Sequence, residues 1–523
     1  MRIILITLVA AVAAADTGCY SRANVQCEID SNCDLFGGGV CATAATGNHW
    51  CAYPDSKCPS GYRYANQDVG DSVSNTCVAE SSPGGDGGTS DGDIPNPYGS
   101  IAIRVGGNES SGGDIPIRVA PAGSDIIVIG VLNQSADLGG GARTGTFLAR
   151  YNSTGLHLWS KSWGLAVSLA DVQADDSSDV IVTGHVTGSV DLGCGSIAAN
   201  SQGEFLLAKF RGSDGACQWS IHAGNGDTAE GHNIAVAGSD LLVTGNFGGN
   251  SGTGTLTLGN TVLTSGGLSD IFVARFQGIN GHPIWATSFP GTKNDFVSDI
   301  TVVDQSSFAL AGSFFGGTLT IGTTAMTSQA FVTRYRSDGS GPVWVQQYNS
   351  GGVGDPHGLA ALPSGDLVLA TNFSSSSISF GNLTLPGTGT SFAVVKLDGA
   401  SGIATSGKVY GNSTSVQTEG LVTLPNGNLA GAAQFQDKIS FGNTELTAGV
   451  GQALAVFQLS TDGNALSAKR YGGNEQDFVT SVGRCASNEV VLTGTFDHVI
   501  DFGAGAPLST AGSRTIFATR VAP

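Results

Sequence analysis

The chain is poor in charge. Of 523 residues only 12% are Asp, Glu, Lys or Arg. Helices that expose one face to water carry more charge than this, so a mainly helical protein is not expected. Basic residues are the scarcer sign, 23 Lys and Arg against 42 Asp and Glu, for a net charge of −19. Nucleic-acid binding is excluded on that count, because no basic patch is available to neutralise phosphates. Long apolar runs are missing beyond the first fifteen residues, so no transmembrane span is expected. Paired CxxC, HExxH and strand-to-helix phosphate loops are missing too, and the eight histidines show no metal spacing. No catalytic, cofactor or metal residue is assigned. A zinc site among His222, His232 and His282, in or beside one repeat unit, is disfavoured.

Glycine is what the sequence has in excess, with 79 residues. Glycine, serine and threonine at low charge suit an all-β chain with many tight turns, because glycine adopts the positive φ that such turns demand. The order of segments follows from composition. Residues 1–15 form an apolar run after Met-Arg and end in Ala13-Ala14-Ala15, the form of a secretory signal peptide. An alternative end lies at residue 18, because Asp16-Thr17-Gly18-Cys19 is similar to a lipoprotein signal with Cys19 lipidated. Asp16 stands where an aliphatic residue is usual. Export to the outer cell surface or medium is expected either way, with an outer-membrane lipoprotein as the anchored form.

Residues 19–79 hold Cys19, Cys27, Cys33, Cys41, Cys51, Cys58 and Cys77. That density in an exported segment reads as a disulfide module whose connectivity spacing does not decide. Its stretch CAYPDSKCPSGYRY is similar to small Cys-rich modules of surface proteins from myxobacteria and related bacteria. Residues 80–98 read as a flexible acidic linker. Within it, Gly88-Thr89-Ser90-Asp91-Gly92 matches a nucleophile-elbow pattern, but without the strand and helix that the elbow needs. Asp86, Asp91 and Asp93 lack the spacing of a calcium loop.

From residue 99 to 523 one unit repeats seven times. Its second strand recurs from Asp125, Asp179, Asp240, Ser307, Asp366, Asn428 and Glu489, at spacings of 54 to 67 residues. Its third recurs as TFLARY, FLLAKF, IFVARF, FVTRY, AVVKL, AVFQL and IFATRV. Its fourth carries Trp159, Trp219, Trp285 and Trp344 in four units. Period-two alternation broken by Gly, Asn and Asp turns gives four antiparallel strands per unit. Seven such units predict a seven-bladed β-propeller, since radial stacking buries both faces of every blade. The pieces IAVAG, LLVTG, LGNTVLTSGG, DIFVAR and WATSFPG resemble the SBBP-type β-propeller repeat of bacterial surface and secreted proteins. That resemblance implies the fold and a surface location, and no catalytic residues.

The seventh unit ends without a fourth strand. Ile101–Val105 aligns with the fourth strand of the sixth unit and is expected to pair around Phe517, closing the ring. Cys194 and Cys217 lie in one unit and are expected to bridge. If the other six module cysteines pair among themselves, Cys19 and Cys485 remain; lipidation of Cys19 then leaves Cys485 a free thiol, and parity narrowly favours that anchored form.

Two columns recur. Arg150, Lys209, Arg275, Arg334, Lys396 and Arg520 occupy one third-strand position, with Gln458 in the sixth unit. They are either an anion belt or, as favoured for a position present in nearly every unit, structural partners of nearby acids and carbonyls. Asp114, Asp227, Asp295, Asp355 and Asp477 precede first strands. They read as turn caps and further partners of the basic column, with cation ligation as the less favoured role. The expected function is non-enzymatic binding or adhesion, by a monomer, to a polysaccharide, matrix or protein partner. The alternative is a carbohydrate-active hydrolase or lyase with paired carboxylates at the mouth of the ring.

Overall fold

A computed structural model of the chain describes residues 40–43, 49–54, 57–58, 62–64, 76–78, 101–109, 117–249, 254–327, 330–348, 355–387, 389–413, 415–503, 507–510 and 514–523. The signal run, Cys19, Cys27, Cys33, the 80–98 linker and Asp114 lie outside the described residues. The chain divides into two compact units, Met1–Thr89 and Ser90–Pro523. No described helix is long and apolar enough to cross a membrane.

The first unit contains a three-stranded antiparallel sheet of Val40–Thr43, His49–Pro54 and Tyr62–Tyr64. Ala42, Trp50, Ala52, Tyr64 and Val78 form a small core. Cys58 bonds to Cys77, and Cys41 and Cys51 are disulfide-bonded as well. So few buried side chains make covalent links the natural source of stability.

The second unit is a seven-bladed propeller of four-stranded antiparallel sheets. Blade 1 is Arg118–Ala122, Asp125–Asp137, Ala142–Tyr151 and His157–Ser162. Blade 2 is Val167–Ala174, Val180–Val186, Glu204–Phe210 and Cys217–Ala223. Blade 3 is Thr228–Ala237, Asp240–Gly248, Ser269–Gln277 and Pro283–Phe289. Blade 4 is Asp295–Asp304, Ser307–Phe314, Ala330–Arg336 and Pro342–Tyr348. Blade 5 is Asp355–Ala361, Leu367–Phe373, Thr390–Leu397 and Ala404–Ser413. Blade 6 is Val416–Thr423, Leu429–Phe441, Thr444–Leu459 and Ala465–Gly472. Blade 7 is Phe478–Arg484, Val490–Phe496, Arg514–Val521 and, as its fourth strand, Ile101–Glu109. Ala102 stands opposite Thr519 and Arg104 opposite Phe517, so a strand from the start of the ring finishes its last blade.

Alternation along the third strand explains the stacking, because successive side chains leave opposite faces. In blade 3, Phe272, Ala274 and Phe276 enter the core shared with blade 2, whereas Ile271 and Val273 enter the core shared with blade 4. One apolar cluster of this kind fills each seam, including the seam between blades 7 and 1. The glycine of the second-strand motif has a steric origin. A Cβ on Gly245 would overlap the Glu230 carbonyl oxygen and stand 2.6 Å from the Phe272 ring, and one on Gly312 would overlap the Phe296 carbonyl oxygen and stand 2.7 Å from the Phe331 ring. Between second and third strands, five blades carry a small two-stranded hairpin among the described residues. Cys194, beside the blade 2 hairpin, bonds to Cys217 at the start of the fourth strand. Cys485 is a free thiol, buried in the seam of blades 7 and 1, and burial pushes it up to about 11.

Candidate functional site

The first strands succeed one another around the ring axis, and that of blade 7 meets that of blade 1. They enclose a channel of about 890 Å³ with walls from all seven blades. In blades 2 to 7 the first strand slips register beside its neighbour, as between Gly231 and Asn233 in blade 3. The bulge turns side chains such as His232, Ser298 and His357 toward the lumen, where each lines the channel.

The residue after the bulge sews blades together. Asp171 accepts the N–H of Val172 at 2.8 Å on one oxygen and that of Ile234, in blade 3, at 2.7 Å on the other. Asp299 repeats the arrangement with Ile300 at 2.7 Å and Leu359, in blade 5, at 2.7 Å. Ser481 accepts from Val119 of blade 1 at 3.4 Å, and Arg118 donates back to the Thr480 carbonyl at 3.2 Å. Asn233 donates to the Ser298 carbonyl of blade 4 at 3.3 Å.

Asp171 and Asp299 keep part of their surface in the narrow lumen but are surrounded by protein. Burial pushes Asp171 up to about 6, against the opposing effects of its two N–H donors and the Arg118 charge. Burial pushes Asp299 up to about 7, again against two N–H donors, with the Asp171 charge adding to the rise. Desolvation of the charged form outweighs the hydrogen bonds at both positions. Farther round the channel, His357 lies 3.7 Å from Glu419. His185 and His232 each lie 3.6 Å from Glu230, whose carboxyl is held below its ordinary value first by the His232 hydrogen bond. His222 is elsewhere, 2.6 Å from Glu204. Among the described residues no group of three or more His, Cys, Asp or Glu is placed to hold a metal.

The basic column is not in the channel. Its members clasp one blade to the next. Arg275 pairs with Asp240 at 2.9 Å and donates to the Ser337 carbonyl of blade 4 at 2.8 Å. Arg150 pairs with Asp125 at 2.9 Å and reaches the Ser178 carbonyl of blade 2 at 2.9 Å. Lys209 meets Asp175 at 2.6 Å and the Gly278 carbonyl at 3.4 Å. Arg334 bonds Ser307 and, at 2.8 Å, the Gly399 carbonyl. Lys396 lies 3.2 Å from Asp462 and 3.6 Å from Asp366; Arg520 lies 3.6 Å from Glu489 and 2.9 Å from the Ser124 carbonyl. The four tryptophans stand opposite this column and donate to the next blade in parallel, as Trp285 does to the Ser337 carbonyl at 3.0 Å.

For Asp227, Asp295 and Asp477, whose side chains are described, the expectation that the acids before the first strands serve this column is corrected. The partners are acids that open or precede second strands, together with Asp462 of the next blade. Asp477 instead caps the Gly473 N–H at 2.8 Å, and Asp295 is fully buried without a basic partner. Sequence reading missed Asp171 and Asp299. The signal was present as the aligned triplets ADV, HNI, SDI and TSV, but a mixed Asp, Asn and Ser column does not announce one shared structural task.

No protein-family model matches the chain, and no curated protein matches it. Among solved structures, quinohemoprotein alcohol dehydrogenase from Comamonas testosteroni is similar at 9% identity and TM-score 0.36, over 81% of this chain and 75% of that one. Aldose sugar dehydrogenase from Streptomyces coelicolor is similar at 12% identity and TM-score 0.34, over 68% and 95%. Raptor from Chaetomium thermophilum is similar at 10% identity and TM-score 0.38, over 80% and 29%. Likeness at these values carries no argument about what this chain does.

Proposed function

We propose that this chain is a non-enzymatic binding or adhesion protein of the cell surface or medium. Its ring engages a polysaccharide, matrix component or protein. The observation that carries the reading is the commitment of Asp171 and Asp299, while Glu419 of the same wall faces His357 at 3.7 Å. Both oxygens of Asp171 and both of Asp299 already accept main-chain N–H groups. A general acid and its partner need a free oxygen aimed at the substrate. These carboxylates act as inter-blade fasteners instead. Around them, Arg118, Arg484, His232, His357 and Glu419 leave a polar lining that suits a hydroxyl-rich ligand. The signal run, the module's cysteines and the likeness of the repeat to SBBP-type units support export and surface display, with Cys19 as the lipid anchor.

The second reading is a carbohydrate-active hydrolase or lyase. It draws on the raised Asp171 and Asp299, a property catalytic acids share. A glycan and matrix screen on the purified full chain, followed by product analysis of every glycan retained, separates the two. Binding expects retention with the glycan recovered intact, weakened by Arg118→Ala. Release of new chain ends that stops with Asp299→Asn would sink the binding reading.

A further inference from the structure

The seam between blades 3 and 4 holds a charge arrangement that no other described part of the ring repeats. Asp270 opens the interior of the third strand of blade 3, and Asp295 begins the first strand of blade 4. Both are 0% exposed. The two carboxylates lie within hydrogen-bonding reach of each other. Asp270 accepts the N–H groups of Gly266 and Gly291, the latter at 3.0 Å. Asp295 accepts none: both its oxygens are buried without a donor. Asn246 donates its Nδ2 to the main-chain carbonyl of Asp295, which holds its amide against the same residue. The Asn246 Oδ1 is buried and also without a donor. A Cβ at Gly291 would overlap the Asp295 carboxylate, so glycine is required where the chain passes over it.

The repeat supplies an internal comparison. Glu204 of blade 2 occupies the place of Asp270, and there the protein provides the balancing groups. Glu204 accepts from Asn200 at 3.0 and 3.1 Å and meets His222 at 2.6 Å. In blade 3 the place of His222 is taken by Ser288, because Leu206 pairs with His222 where Phe272 pairs with Ser288. Between blades 6 and 7 the place of Asp270 is Ala453, and Asp477 takes the Gly473 N–H. Among the described residues, only the seam of blades 3 and 4 buries two carboxylates with no basic side chain beside them. Buried unpaired acceptors of this kind call for a bound partner.

We propose that this seam binds a calcium ion through Asp270, Asp295 and the Asn246 Oδ1. The donors are oxygen only, which suits a hard cation and not zinc or copper. Calcium accepts mixed carboxylate and amide ligands with loose geometry, whereas magnesium demands a regular octahedron. One ion offsets the charge of both carboxylates and fastens blade 3 to blade 4 where the basic column does not reach. The rival occupant is a proton shared by the two carboxylates.

The test is thermal unfolding and calorimetry of the full chain, treated with chelator and then titrated with calcium or magnesium chloride at pH 8.5. Elemental analysis of untreated protein runs beside it. Calcium binding predicts a melting temperature that rises with calcium far more than with magnesium. It predicts metal content that falls by one ion per chain in Asp295→Asn, and an affinity at least tenfold weaker in that variant. If Asp295→Asn does not fold, Asn246→Ala carries the same comparison. A parent whose melting temperature ignores calcium, and which carries no metal, overturns the proposal in favour of the shared proton. So does an Asp295→Asn or Asn246→Ala variant that keeps the full response.

Discussion

At the scale of single residues, the ring depends on side chains that bond across a seam rather than on exposed ion pairs. Arg275→Ala removes a partly buried pair with Asp240 and one of two donors to the Ser337 carbonyl. We expect a loss of about 1–3 kcal/mol in urea unfolding. Arg211 and Asp214 form an equally short pair at 2.9 Å, but both are more than half exposed, so Arg211→Ala should leave the midpoint nearly unchanged. Equal losses for the two variants would contradict this account of the clasp. Asp171 and Asp299 give a pH signature. Their folded values, about 6 and about 7, lie above the unfolded carboxylate value of roughly 4. The folded state therefore binds more protons than the unfolded one across that interval, and stability falls as pH rises through it. Their favourable contribution is complete below about pH 4 and is lost by about pH 8. The melting temperature of the parent should drop more between pH 5 and pH 8 than that of the Asp171→Asn, Asp299→Asn double variant. Parallel pH curves would show that these carboxylates titrate normally.

At the scale of elements, the strand motifs owe their regularity to what lies across from them. The second-strand glycine lies between a first-strand carbonyl and a third-strand phenylalanine, so Gly312→Ala should cost about 1–3 kcal/mol through overpacking against the Phe296 carbonyl and the Phe331 ring. A fully stable Gly312→Ala protein, measured by denaturant unfolding, would mean the ring moves aside freely. The basic column shows the same logic between strands. In four blades its partner is the residue at the start of the second strand: Asp125 for Arg150, Asp240 for Arg275, Asp366 for Lys396 and Glu489 for Arg520. Lys209 of blade 2 meets Asp175 more closely than Asp179 at that place. In blade 4 that place is Ser307, which bonds Arg334 while Asp304 supplies the charge. In blade 6 both places are neutral, Asn428 and Gln458, and the register is kept: Ala430 stands opposite Gln458 as Leu242 stands opposite Arg275. In blade 6 the acid and the base are absent together, and in blade 4 a lost acid is replaced by Asp304. That joint absence is legible in the amino-acid sequence itself, and it points to internal pairing over an anion belt.

At the scale of the whole molecule, closure is the decisive contact. Blade 7 takes its fourth strand from Ile101–Glu109, and Ile103 and Val105 join the core that blades 7 and 1 share. Deleting residues 99–107 should expose the edge of Arg514–Val521 and open that core. We expect a sharply lower melting temperature or aggregation, read by scanning calorimetry and light scattering. A truncated chain as stable as the parent would mean the ring does not need this strand. The strand count, the seven units, the closing strand and the Cys194–Cys217 bridge could all be read from the sequence. Periodicity, turn residues and repeat spacing are local or one-dimensional signals, and each blade repeats them independently. The channel and the acid pair could not be read in that way. Asp171 finds Ile234, Asp299 finds Leu359 and Asp270 finds Asp295 only because strands from successive blades are brought around one axis. Each partner lies in the next blade, beyond the reach of any pattern within one unit. Their charge states depend on burial, which is a property of the assembled ring and not of any segment.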